Sequence, residues 1–229
     1  TQALRKICKY ADCCVSGASR TDAGVHAQGQ VAKLSIPLKI TAGNLLLGLN
    51  SLLPMDIRIW QCVECPAVFN PNRQSISKRY RYYFSTDRIS SPILHGIVAH
   101  VPLEIEGAKS NSHLDLEKMR QVCQLFVGEH DFYSFSSKDK NIDSTIRTIS
   151  QFQIKSTDAI GLDVDLYYFE IEGNGFLRHM VRYIVGAIFK AGRHTIDSKD
   201  IRQALCNRSE QKFSPKTKAQ GLHLIEITY

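Results

Sequence analysis

The segment Gly17-Ala18-Ser19-Arg20-Thr21-Asp22-Ala23-Gly24-Val25-His26-Ala27 sets a carboxylate two positions after an arginine and brackets it with glycines. Glycine permits tight or left-handed backbone, and a carboxylate beside a guanidinium serves as a stable anion or as a nucleophile. A solvated turn with an incidental ion pair is the alternative explanation of the same residues. Further along, Lys78, Arg79 and Arg81 interleave with Tyr80, Tyr82 and Tyr83. That pattern places charges suited to phosphates beside rings suited to bases, and it is equally the pattern of a strand with one basic and one aromatic face. Arg178 and Arg182 stand four apart among Met180, Val181, Ile184 and Val185. On a helix predicted over residues 178–191 they would share one face, one turn from each other.

Other kinds of chemistry have little support. Cys62-Val63-Glu64-Cys65 has the spacing of a zinc-ribbon or redox pair, but no second Cys-x-x-Cys completes a four-ligand set, so no metal is expected. The seven cysteines are odd in number and lack disulfide-framework spacing, which predicts reduced thiols in a cytosolic or organelle-matrix compartment. A net charge of +7 favours a polyanionic partner, because neutralising phosphates releases condensed counterions. No apolar run approaches the ~18 residues of a membrane span, so a soluble chain is expected.

The run Arg20-Thr21-Asp22-Ala23-Gly24-Val25-His26 is long, ordered and free of low-complexity bias, and through it the chain resembles the TruA-type tRNA pseudouridine synthases. Four further blocks follow in that family's order: Lys78 to Tyr82, Gly128 to Phe135, Gly175 to Gly186, and Ala219 to Leu222. The five blocks run from near residue 16 to the C-terminus. The resemblance implies an isomerase that converts uridine to pseudouridine in the anticodon stem-loop of tRNA, at positions 38, 39 and/or 40, with base flipping and no cofactor or metal. It implies Asp22 as the catalytic nucleophile, Arg182 as the arginine paired with it, Tyr80 as the ring that stacks on the target base, and Arg20 as a wedge or phosphate contact. His26 and His130 fall in family blocks and are expected to fix loops by hydrogen bonding. Homodimerisation is also expected. A tRNA-binding or folding factor of the same fold without turnover is the competing reading. In one respect the chain departs from the family: Asn70-Pro71-Asn72-Arg73 shifts an arginine by one position, so Arg73 is left out of the candidate site.

The elements that must position these residues alternate between the two periods. Leu4, Ile7, Cys8 and Ala11 predict a helix over residues 2–11, and the family's first strand, with its aspartate-glycine turn ahead of this helix, is expected to be missing. Strands are predicted over residues 32–36, 56–62, 78–85, 145–155, 162–169 and 222–228, and helices over 42–50, 116–126, 178–191 and 198–207. In the strand 78–85, Tyr80, Tyr82 and Phe84 fall on one face and Arg79, Arg81 and Tyr83 on the other. The polar stretch 104–113 reads as a linker or insertion, giving an N-terminal lobe over 1–103 and a C-terminal lobe over 114–229. Periodicity supports a mixed α and β chain with antiparallel pairing. The resemblance adds an α+β fold in which two lobes share a mainly antiparallel sheet, flanked by helices, around a basic cleft.

Overall fold

A computed structural model describes residues 1–10, 12–102, 114–139, 142–159 and 162–229. The predicted linker 104–113 lies outside the described residues. In chain order the elements are α1 (Gln2–Ile7), β1 (Cys14–Gly17), β2 (His26–Ala27), β3 (Ala32–Ser35), α2 (Ala42–Leu52), β4 (Ser77–Ser85), β5 (Ala99–His100), α3 (Leu116–Cys123), β6 (Gly128–Asp131), β7 (Ile146–Ala159), β8 (Leu162–Gly173), α4 (Met180–Gly192), α5 (Ser198–Cys206) and β9 (Leu222–Thr228). The fold is α+β, as expected. No helix among the described residues is long and apolar enough to cross a membrane.

The contacts group the chain into two units, Thr1–Arg20 with Gln30–Ser75, and Thr21–Gly29 with Ile76–Tyr229. This division differs from lobes at 1–103 and 114–229. The reason lies in β4, which is hydrogen-bonded by β8 along one edge and by β9 along the other and so belongs with the C-terminal strands. The Asp22 loop goes with them because β2 pairs with β9.

In the smaller unit, β1 and β3 form an antiparallel pair. Leu4 and Cys8 pack against Leu45 and Leu49 of α2, whose start is capped by the Thr41 hydroxyl accepting from the Asn44 amide. The first helix is shorter than residues 2–11 because Lys9 and Tyr10 adopt left-handed backbone, which ends a right-handed helix. Residues 56–62, predicted as a strand, are irregular. There the Asn50 side chain satisfies both the amide and the carbonyl of Ile59, taking the bonds a neighbouring strand would need.

The larger unit is built on a sheet of order β2-β9-β4-β8-β7-β6, with β5 beside β4. Pairing is antiparallel except where β2 meets β9 and β5 meets β4. The period-2 pattern of β4 is realised as predicted: Tyr80, Tyr82 and Phe84 are buried, whereas Arg79, Arg81 and Tyr83 are partly exposed. Phe189 of α4 sets its ring edge-on to Tyr82, Phe84 and Phe169 at 6.3, 5.2 and 5.6 Å, pressing that helix onto the buried face. Each such ring contributes roughly 1.5–3 kcal/mol by leaving water. Asp115 caps α3, and Asp197 with Asp200 forms a capping box on α5. On the opposite face of the sheet, Glu170 accepts from Arg81 at 2.7 Å and Lys155 at 2.9 Å. Burial pushes the Glu170 carboxyl up, but its bonds to Lys155 and Arg81 outweigh this and hold it at about 2.

Candidate active site around Asp22

Asp22 sits in a turn that closes with the Val25 amide donating to the Asp22 carbonyl at 3.0 Å. Gly24 makes the turn possible with a φ of 82°, a region other side chains resist. The turn is tied down beyond this bond. His26 donates a ring N–H to the Gly96 carbonyl at 2.7 Å and stacks on His223 at 4.7 Å, and His223 donates to the Ile97 carbonyl at 2.7 Å. Burial lowers the pKa of His223, and the His26 ring beside it acts in the same direction. His130 bonds the Val127 carbonyl at 3.1 Å. Both family-block histidines thus fasten backbone, as expected of them.

Arg182 projects from the first turn of α4 and is 8 % exposed. Its Nη1 donates to Asp22 Oδ2 at 2.9 Å and its Nε to the Thr217 carbonyl at 2.8 Å. Thr217 replies with its hydroxyl and its amide, both directed at the Arg182 carbonyl, at 3.1 and 3.3 Å. The 214–217 segment comes this close to α4 because Gly186 has no side chain: a Cβ there would lie 2.0 Å from the Pro215 carbonyl oxygen. Beneath the arginine, Tyr82 donates to the Lys218 carbonyl at 3.1 Å. Burial pushes its phenol up to about 12, against the Thr217 hydrogen bond and the Arg182 charge.

A second nitrogen lies close to Asp22. His179 Nε2 lies 3.2 Å from Oδ1, and its Nδ1 lies 2.6 Å from the Ser137 hydroxyl. Burial lowers the His179 pKa below its ordinary value, helped by Lys216, Arg182 and Arg178 and opposed by Asp22. Burial thus disfavours the charged form of this imidazole. Sequence reasoning passed over His179 and Ser137, which lie 42 residues apart and meet only through tertiary structure.

The structure brings Asp22 and Arg182 together. It separates Arg178 from Arg182 in role: α4 begins at Met180, with His179 left-handed at its N-cap, so exposed Arg178 lies outside the helix and off the face carrying Arg182. Tyr80 is 7 % exposed, with Phe176 edge-on at 5.2 Å. Arg20 is exposed and belongs to the smaller unit. Arg73 is exposed in a turn whose Asn70 side chain accepts from the Asn72 and Arg73 amides, so no strand face is reversed there. Cys62 and Cys65 join no cluster that could hold a metal among the described residues.

Known proteins are similar to this chain along most of its length. A family model described as tRNA pseudouridine synthase matches residues 122–229, the stretch that includes His179 and Arg182. A tRNA pseudouridine synthase A 2 from Desulfotalea psychrophila is 45 % identical over 225 residues, covering 98 % of this chain and 84 % of the relative. The chain belongs to the tRNA pseudouridine synthase A family. Further family members are similarly matched, a tRNA pseudouridine synthase A from Listeria welshimeri at 35 % identity over 100 % of this chain and 87 % of its own length. One from Acetivibrio thermocellus is 35 % identical over 93 % of this chain and 81 % of its own. The family is one of isomerases, and this chain is an enzyme of that class.

Proposed function

We propose that this pseudouridine synthase isomerises uridine to pseudouridine in the anticodon stem-loop of tRNA, at positions 38, 39 and/or 40, with Asp22 as nucleophile. The observation that carries the reading is a half-buried carboxylate that accepts from Arg182 at one oxygen and has His179 Nε2 3.2 Å from the other, with its side chain 28 % exposed toward solvent. Each carboxylate oxygen offers about two lone-pair sites, so one on each remains for a substrate. A pre-set rotamer with a free lone pair is what nucleophilic attack requires.

In the reaction an Asp22 oxygen attacks the flipped-out nucleotide, forming a bond that breaks again as product forms and returns the free carboxylate, and the N1–C1′ bond breaks. The uracil turns, C5 bonds to C1′, and the C5 proton leaves while N1 gains one from solvent. Substrate and product are isomers, so no oxidant or reductant is consumed. Flipping a nucleotide costs a few kcal/mol, and one base–aromatic stack returns ~1–3 kcal/mol. Tyr80 is the ring proposed for that stack, beside Phe176, which meets it edge to face at 5.2 Å. Exposed Arg178, Lys216 and Lys218 supply charge for the tRNA backbone, as does Arg20. The enzyme is proposed to act as a homodimer in the cytoplasm.

Carbodiimide mapping of a tRNA transcript bearing uridines at 38 to 40 tests this reading. Resistant adducts at one or more of these positions with wild-type protein are expected. Adducts elsewhere refute the anticodon assignment, and tRNA retention without any product favours a binding factor instead.

A further inference from the structure

Arg182 accounts for one oxygen of Asp22, and the other belongs to His179. This histidine is held unusually. Its backbone, at φ 63° and ψ 4°, is left-handed where α4 begins, a conformation a residue with a Cβ adopts at a cost. The turn is pinned on its other side, where the Ser137 amide donates to the Arg178 carbonyl at 2.9 Å. The strained residue carries a ring with a partner beside each nitrogen: the Ser137 hydroxyl hydrogen-bonded to Nδ1 at 2.6 Å and the Asp22 carboxylate 3.2 Å from Nε2.

The two contacts are not independent. A neutral imidazole has one N–H and one lone pair. With the proton on Nδ1, the Nε2 lone pair would face the Asp22 oxygen and repel it. With the proton on Nε2, the ring donates to Asp22 and leaves Nδ1 to accept a hydrogen bond, and the Ser137 hydroxyl is positioned to give one. The charged and titratable groups around the ring are Asp22 from the turn before β2, Arg182 from α4, Arg178 just ahead of it, and Lys216 from the segment before β9. The Tyr183 ring lies 6.3 Å away on α4. Burial and the three cations among these disfavour a charged ring, against the pull of Asp22, and the neutral ring is the form whose tautomer Ser137 can select.

We propose that Ser137 and His179 are a positioning pair for the isomerisation: Ser137 selects the Nε2–H tautomer, and His179 in that tautomer, with Arg182 on the other oxygen, fixes the plane of the Asp22 carboxylate. The proposal rests on the reading of Asp22 as the catalytic group. The pair moves no proton and touches no substrate. It sets the direction in which the remaining Asp22 lone pairs point.

Two amide substitutions separate the contacts. A glutamine amide reaches the position of Nε2 and can donate to Asp22, whereas an asparagine amide reaches only the position of Nδ1. Asparagine also tolerates left-handed backbone well, so His179→Asn removes the Asp22 contact with the least disturbance of the turn. The experiment compares wild type, Asp22→Asn, His179→Gln, His179→Asn and Ser137→Ala in single-turnover pseudouridine formation on tRNA. Filter binding and urea unfolding are measured on the same proteins. Losing a hydrogen bond to a charged group predicts His179→Asn slower by about 10- to 100-fold, with tRNA affinity unchanged. His179→Gln is expected to recover most of that rate, and Ser137→Ala to fall between the two. Wild-type turnover by His179→Asn overturns the proposal, as does a His179→Gln rate no better than that of His179→Asn, or a loss seen in tRNA affinity instead of rate. If Asp22→Asn is inactive while His179→Asn is fully active, only the positioning pair fails. If Asp22→Asn keeps full activity, the reading of Asp22 fails and the pair with it.

Discussion

Arg182→Met, measured with and without the Asp22 charge, shows whether the site is held as one unit. The substitution keeps an unbranched apolar stem in a helix that favours it and deletes two bonds, Nη1 to Asp22 and Nε to the Thr217 carbonyl. Two unit charges ~4 Å apart attract by about 4 kcal/mol at an effective dielectric constant of ~20. The Asp22 side chain is 28 % exposed and the Arg182 side chain 10 %. Water thus screens one partner, while desolvation of the other subtracts from the gain. A net coupling of roughly 1–2 kcal/mol remains. Leaving the Thr217 carbonyl without its donor adds ~1–3 kcal/mol. Arg182→Met should therefore destabilise the protein by about 2–5 kcal/mol, and by ~1–2 kcal/mol less when Asp22→Asn is already present. Urea unfolding of wild type, the two single variants and the double variant, at one ionic strength, yields the coupling directly. A coupling within ~0.3 kcal/mol of zero refutes the claim that the pair is a shielded, mutually dependent unit.

Other consequences follow from the packing and the charges. Gly186→Ala places a Cβ 2.0 Å from the Pro215 carbonyl oxygen, so the 214–217 segment must move; a stability loss of ~1–3 kcal/mol and slower turnover are expected. An unchanged Tm and rate would contradict that account of how Arg182 is held. Glu170, held at about 2 by Lys155 and Arg81, titrates lower in the fold than in the unfolded chain. Its stabilisation is complete above about pH 4.5 and is lost as pH falls toward 2, up to roughly 3 kcal/mol. Glu170→Gln should be less stable than wild type at pH 6, and the gap should narrow below pH 4.5 and close as pH falls through about 2 in urea titrations; a pH-independent gap would contradict this.

Local pattern made part of this legible. The alternation of rings and cations in 78–85 gave β4 and the inward face of Tyr80, Tyr82 and Phe84, because a strand with one buried side must have period 2. The site was legible only where resemblance named its members. Spacing put Arg178 and Arg182 on one helical face, but the left-handed His179 delays the helix by two residues, and no pattern of residue types announces such a cap. Residues 56–62 carried strand-like composition yet found their backbone partner in the Asn50 side chain, a tertiary event outside any local window. The strand β6 is absent from the predicted elements: Gly128, two residues beyond the helix predicted over 116–126, is the first residue paired to β7. His179 and Ser137 were invisible as a pair because nothing in either segment points to the other.

The most direct test of the Asp22 account uses tRNA labelled with tritium at C5 of its uridines, since forming the C5–C1′ bond expels that hydrogen. Under single-turnover conditions, wild-type protein is expected to release tritium to solvent. Asp22→Asn, which keeps the size of the side chain and loses its charge, is expected to bind tRNA with unchanged affinity and release none above background. Release by Asp22→Asn at a rate comparable to wild type would contradict the claim that this carboxylate, held between Arg182 and His179, performs the chemistry.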